Sequence, residues 1–108
     1  VFSKKISELR ELHINDIIID VGFGFGKTLE QNYTLLRKLE VFHMLGVPIL
    51  TGISRKSMVY KIIGTDAEQA LNGTTVANTL ALLKGSNILR VHDVKEAVEA
   101  IKITRAYV

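Results

Sequence analysis

At 108 residues, 47% hydrophobic and 23% charged, the chain has the make-up of a small globular domain and not of a disordered segment. It has no cysteine, which excludes a disulfide framework and a thiolate metal site, and no apolar run nears the roughly 20 residues that span a bilayer. The net charge of +3 comes from basic residues scattered singly or in pairs, without interleaved aromatics, so a small anion suits it better than nucleic acid.

The first dozen residues read as the end of a helix with Ile6, Leu9 and Leu12 on its apolar side. Ile17-Ile18-Ile19 follows as a short buried strand and runs into Asp20-Val21-Gly22-Phe23-Gly24-Phe25-Gly26-Lys27. Thr28 to Leu45 carries Leu29, Tyr33, Leu36, Leu39 and Phe42 at helical spacing, with Gly46 as its stop. A second strand, Val47-Pro48-Ile49-Leu50, runs into Gly52-Ile53-Ser54-Arg55-Lys56-Ser57.

Thr65-Asp66-Ala67-Glu68 has the form of a capping box. The helical pattern behind it is interrupted at Gly73 and resumes through Val76, Ala77, Leu80, Ala81 and Leu83 to Gly85. The third strand is Ile88-Leu89-Arg90-Val91. Asp93-Val94-Lys95-Glu96 then caps a last helix with Val94, Ala97, Val98 and Ile101 on one face.

The order α-β-α-β-α-β-α fits an α/β protein with parallel strands and outer helices, either a doubly wound sheet or a (β/α)8 barrel. Three strands cannot close a barrel. A chain that opens in mid-helix and holds only three βα units is expected to be a piece of something larger.

In parallel α/β folds, ligands meet the loops at the C-terminal ends of the strands, and here all three ends carry chemistry. Gly22, Gly24 and Gly26 suit either a phosphate cradle or merely a tight turn. Gly26-Lys27-Thr28 resembles the end of a Walker A motif, but Val21 stands where that motif begins with glycine, and Asp20 would repel a triphosphate. A carboxylate ending an apolar strand needs a partner. Asp20 is either a cap for the next helix or an acceptor of two parallel hydrogen bonds from an amidine-like edge, such as a pterin presents.

Arg90 and His92, two apart in an extended segment, share a face and suit pyrophosphate; the alternative is pairing with Asp93 and Glu96. Ser54-Arg55-Lys56-Ser57 supplies hydroxyls and two cations, or else a solvated loop. Lys56 suits a heteroaromatic carbonyl or ring nitrogen, and Ser57 a carboxylate. His13 and His43 lack companions and read as surface or packing residues.

Three blocks together, Asp20 to Thr28, Ser54 to Ser57 and Ile88 to Val94, resemble the dihydropteroate synthase family in order and in spacing. The resemblance covers about Ile6 to Ile103. It implies the sixth, seventh and eighth strands of a TIM barrel, in a transferase that condenses 6-hydroxymethyl-dihydropterin pyrophosphate with p-aminobenzoate in folate synthesis. On this resemblance Asp20 binds the 2-amino and N3 edge of the pterin, Lys56 its carbonyl and ring nitrogen, and Arg90 covers its face. Arg90 and His92 hold the pyrophosphate, and Lys56, Arg90 and His92 form the catalytic set. Phe25 and Gly52 complete the pterin pocket; Phe25, Gly24, Lys56 and Ser57 form the p-aminobenzoate site that sulfonamides mimic.

The resemblance also implies Mg²⁺, with its ligand on the absent strands and none in this fragment, a cytoplasmic location, a homodimer through the last helices, and no nucleic-acid or membrane partner. The isolated fragment is expected to be inactive and to self-associate through uncovered apolar faces. Val21 departs from the family's usual proline after the strand-ending Asp and loosens the placement of Asp20. The alternatives are a related pterin-binding barrel, such as a methyltetrahydrofolate:corrinoid methyltransferase domain, and a non-catalytic dimerising module.

Overall fold

The computed structural model describes residues 2–12, 16–24 and 26–108. A first helix, α1 (Phe2–Glu11), precedes strand β1 (Ile19–Asp20). Then come α2 (Leu29–Arg37), a 3-10 helix (Leu39–Leu45), β2 (Ile49–Thr51), α3 (Ser57–Ile63), a 3-10 turn (Ala67–Gln69), α4 (Leu71–Leu83), β3 (Ile88–Leu89) and α5 (Val94–Tyr107). The strands lie in the order β1-β2-β3. Ile19 faces Ile49 and Asp20 faces Leu50, while Leu50 faces Ile88 and Thr51 faces Leu89, all in parallel. Parallel neighbours taken in chain order are joined by crossovers of one hand, which sets their helices on one face of the sheet. No reversal of strand order occurs within this sheet, as a doubly wound switch point would require.

The strands are shorter than their apolar runs predict. Pro48 has no N–H to give, so the ladder begins where Ile19 N–H donates to Pro48 O at 3.0 Å. Ile17 and Ile18 lie outside the ladder, with Ile18 55% exposed. At the other end Arg90 N–H still bonds Thr51 O at 2.9 Å, and the third strand stops there. Ile49, Leu39, Ile53 and Met58 are fully buried and form the centre of the core, joined by Ile6, Ile19, Phe23, Leu36 and Val59.

Thr28 opens α2 with a complete capping box: Gln31 N–H donates to Thr28 Oγ1 at 3.1 Å and Thr28 N–H to Gln31 Oε1 at 2.9 Å. The continuous helix expected to Leu45 instead ends at Arg37 and tightens to a 3-10 coil. That coil buries Leu39 completely and sets Phe42 edge-on to Phe2, ring centres 5.8 Å apart. Gly46 stops it in the left-handed conformation, as expected.

Three further expectations are corrected. In the proposed capping box Thr65 is not the cap. Asp66 accepts from Gln69 N–H at 3.1 Å, and a single 3-10 turn follows. Gly73 does not interrupt α4, since a Cβ there would lie 2.8 Å from Val59 Cγ1 and 3.2 Å from Ile63 Cδ1. Glycine is the residue that lets α4 run flush against α3, a helix the sequence reading missed. Finally, Val94 and Val98 are exposed, and α5 faces the interior with Ala97, Ala100 and Thr104, small side chains that allow close approach to α4. On α1 only Ile6 is buried, Leu9 is half-buried and Leu12 is exposed. His43 is exposed with its ring against Gly85, while His13 lies outside the described residues. No helix among the described residues is long and apolar enough to cross a membrane.

Candidate active site at the strand ends

Asp20 ends β1, and its two oxygens are taken separately. Oδ1 accepts from Gly22 N–H at 3.0 Å and Oδ2 from Arg90 Nη1 at 3.0 Å. It does not cap α2; Thr28 does that. Gly22 and Gly24, at φ 77° and 94°, turn the loop in a conformation L side chains rarely adopt, and Phe23 is buried between them as its anchor. Lys27 Nζ ties the loop back on itself by donating to Gly22 O at 2.6 Å.

Asn32, on the first turns of α2, is 2% exposed. Its Oδ1 accepts from Gly24 N–H at 2.8 Å and its Nδ2 donates to Thr28 O at 3.1 Å. The sequence reading missed it, although the signal was present: Asn32 lies on the same apolar stripe as Leu36 and Leu39, where a polar residue needs a buried partner.

At the end of β2, Gly52, Ile53 and Ser54 are buried. Arg55 adopts φ 56°, and its N–H bonds Thr74 Oγ1 at 3.0 Å. Four of its five guanidinium N–H groups are engaged. Nε and Nη2 take the Asp93 carboxylate at 2.9 and 3.1 Å, while Nη1 donates to the carbonyls of Ala67 and Glu68 at 2.7 and 2.9 Å. The loop therefore offers one site cation and not the expected two. The same bond explains why Asp93 does not cap α5, since a paired guanidinium holds the carboxylate more strongly than a helix N–H does. The hydrogen bond from Arg55 holds the Asp93 carboxyl below the ordinary carboxylate range, with the charges of Arg55 and His92 adding to it, and that from Asp93 raises Arg55.

Lys56 turns the other way, toward the glycine loop, and its Nζ donates to Phe23 O at 2.7 Å. Burial lowers its pKa, the charges of Arg90 and Lys27 lower it further, and Asp20 opposes them. A Cβ on Gly24 would crowd the Lys56 stem at 3.1 Å, and one on Gly52 would meet Arg90 Nη2 at 2.5 Å. Side chains thus lie across both glycines, and a Cβ at either would displace them. A cavity of about 460 Å³ opens beside Lys56, lined by Phe23, Gly24, Arg55, Lys56, Ser57, Tyr60 and Ala67. A slightly larger one, about 500 Å³, lies along α2 and the 3-10 coil, lined by residues such as Leu35, Val41 and Phe42 and away from this chemistry.

Asp20, Gly52, Lys56 and Arg90 are therefore brought together, with Gly24 and Ser57 on the cavity wall. His92 is exposed and is placed by its backbone, whose N–H donates to Ser54 Oγ at 3.1 Å. The ladder ends at Leu89, so strand alternation does not extend to Arg90 and His92: Arg90 pairs with Asp20, whereas the charge of His92 acts on Asp93. Phe25 lies outside the described residues. Among the described residues no three His, Cys, Asp or Glu side chains converge as a metal site.

Residues 1–92 match the family model for pterin binding enzymes. The dihydropteroate synthase of Escherichia coli (strain K12) is 43% identical over 90 residues, a match covering 83% of this chain and 32% of that protein. A solved Yersinia pestis DHPS with a pterine-sulfa conjugate superposes with a TM-score of 0.93 at 40% identity, over 98% of this chain and 43% of that one. A dihydropteroate synthase from Thermus thermophilus in complex with 4-aminobenzoate gives 0.90 at 37% identity, over 96% and 41%. The chain thus spans about a third of the length of the relatives it matches, and its three βα units are part of a (β/α)8 barrel.

Proposed function

The chain belongs to the pterin-binding enzyme family, and from that membership we propose that its strand ends are part of the active site of a dihydropteroate synthase. In this reaction the amine of p-aminobenzoate attacks the methylene of 6-hydroxymethyl-dihydropterin pyrophosphate. A carbon–nitrogen bond forms, the carbon–oxygen bond breaks, pyrophosphate leaves and the nitrogen gives up one proton. No protein nucleophile is needed, so the side chains bind, orient and stabilise charge.

The observation that carries this reading is the convergence of Asp20, Lys56 and Arg90 from three different strand ends. Asp20 presents a carboxylate to the amino and ring N–H edge of a pterin, a pair of charge-assisted hydrogen bonds. Lys56 donates to the pterin carbonyl and ring nitrogen. Arg90, spread against Gly52, offers a flat cation for the pterin face and, with His92, stabilises the departing pyrophosphate. The cavity beside Lys56 and Ser57 takes p-aminobenzoate, its carboxylate toward Ser57.

The roles assigned to these residues do not run through a magnesium ion. Turnover is assigned to the whole barrel, since the chain holds three of its strand ends. Self-association belongs to the same proposal: Val76, Leu80 and Leu83 of α4 and Ile103 and Tyr107 of α5 are exposed apolar side chains.

Calorimetric titration of the chain with a pterin pyrophosphate analogue, beside an Asp20→Ala variant, tests the reading. Binding by the parent that is lost in the variant supports it. Equal binding by both chains overturns it.

A further inference from the structure

We propose that Asn32 is a positioning residue for Lys56, acting through the peptide group that joins Phe23 to Gly24. The two ends of that one peptide are held by different elements. Its N–H donates to Asn32 Oδ1 on α2 at 2.8 Å, and its C=O accepts from Lys56 Nζ, beyond the end of β2, at 2.7 Å. Asn32 is itself fixed, being 2% exposed and donating through Nδ2 to Thr28 O at 3.1 Å. Glycine on one side of the peptide, at φ 94°, leaves sterics a weak hold on its orientation. The buried amide of Asn32 supplies the missing constraint.

Two physical effects follow. A bond accepted from the peptide N–H polarises the group and makes its carbonyl a better acceptor for the Lys56 ammonium. The same bond keeps that carbonyl pointed at Lys56 and not turned away from it. The charged groups that face Lys56 are Asp20 from β1, Lys27 from the glycine loop and Arg90 from the end of β3; Asn32 adds no charge to them. What it controls is where the ammonium rests. The consequence for pterin binding rests on the role of Lys56 given above, whereas the coupling of Asn32 to Lys56 does not.

The test follows two resonances in the isotope-labelled chain across pH: the Lys56 side chain and the Phe23 carbonyl carbon. In the parent, the Phe23 carbonyl shifts as Lys56 loses its proton. In Asn32→Ser, shown to be folded by circular dichroism, Lys56 titrates at lower pH because the carbonyl no longer supports the ammonium, and the Phe23 signal stops following it. Asn32→Asp, which keeps an acceptor oxygen, returns the Lys56 titration to the parent position or above.

A folded Asn32→Ser chain with the parent's Lys56 titration overturns the proposal. Should that variant not fold, a Phe23 carbonyl in the parent that ignores Lys56 deprotonation overturns it equally. Pterin-analogue affinity is expected to fall about three- to tenfold in Asn32→Ser, as for the loss of one hydrogen bond. A shifted Lys56 titration with unchanged affinity upholds the positioning role and removes Lys56 from pterin recognition.

Discussion

Arg90 holds Asp20 across 70 residues of chain, Nη1 to Oδ2 at 3.0 Å, while its guanidinium lies against Gly52. Both side chains are more than a third exposed, at 59% and 41%, so the pair contributes at most about 1 kcal/mol to stability. Its effect is positional: it draws the ends of β1 and β3 together over β2.

Gly52→Ala separates position from stability. The new methyl would sit 2.5 Å from Arg90 Nη2, and an exposed arginine tip can swing aside. Urea unfolding is expected to change by less than about 1 kcal/mol. Pterin-analogue affinity is expected to fall about tenfold or more, because the flat cation leaves the pocket. Unchanged affinity in calorimetry would count against Arg90 as the pterin's cover.

Gly73→Ala is expected to do the reverse. Alanine gains about 1 kcal/mol in helix propensity over glycine, but its Cβ would lie 2.8 Å from Val59 Cγ1. Val59 is stiff and buried and cannot yield cheaply. Overpacking costs about 1–3 kcal/mol, so a net loss of stability is expected in urea, with ligand affinity preserved in whatever remains folded. A gain in stability would show that α3 and α4 can part without penalty.

Acid should expose the Arg55–Asp93 pair. The Asp93 carboxyl titrates below its ordinary range, chiefly through its hydrogen bond with Arg55. Its contribution is fully present above the ordinary aspartate value of about 3.9 and is lost as pH falls through the lower folded value. Asp93→Asn should therefore be less stable than the parent at neutral pH, and the difference should shrink as pH drops through that window. A stability difference that stays constant down to acid pH would mean the carboxylate charge is not what Arg55 requires.

Alkali should expose Lys56. Burial, with Arg90 and Lys27 adding to it, sets its folded pKa below the ordinary lysine value of about 10.4. Between the two values the unfolded chain binds more protons than the folded one, so this lysine makes stability rise with pH there. Lys56→Met should flatten that rise in urea melts taken across the window. An identical pH slope in both chains would place the Lys56 ammonium in solvent.

Asp20, Lys56 and Arg90 were legible in the sequence because they lie in or just after short apolar runs, and a parallel sheet brings strand ends together whatever the loops do, whereas Gly52 came only with the family resemblance. Arg55 was not. Nothing in Ser54-Arg55-Lys56-Ser57 says that one cation turns back to a carboxylate 38 residues away while its neighbour faces the glycine loop. Asp93 misled for the same reason: an aspartate before a helical run normally caps it, unless a distant guanidinium claims it first. Gly73 looked like a breaker because pattern reading sees a missing side chain and not the Val59 that needs its space. Strand lengths were overread because apolarity continues past the point where Pro48 lets the ladder begin.

The two kinds of tie at this site leave different marks on inheritance. Arg55 and Asp93 meet through side chains, so in diverging relatives a change at one should be answered at the other, and the two positions should vary as a pair. Asn32 grips a backbone N–H that any residue but proline at position 24 would carry, and Lys56 grips a backbone carbonyl. Neither side chain meets the other, so a shared fate of Asn32 and Lys56 in diverging relatives would be carried by the one peptide that both hold.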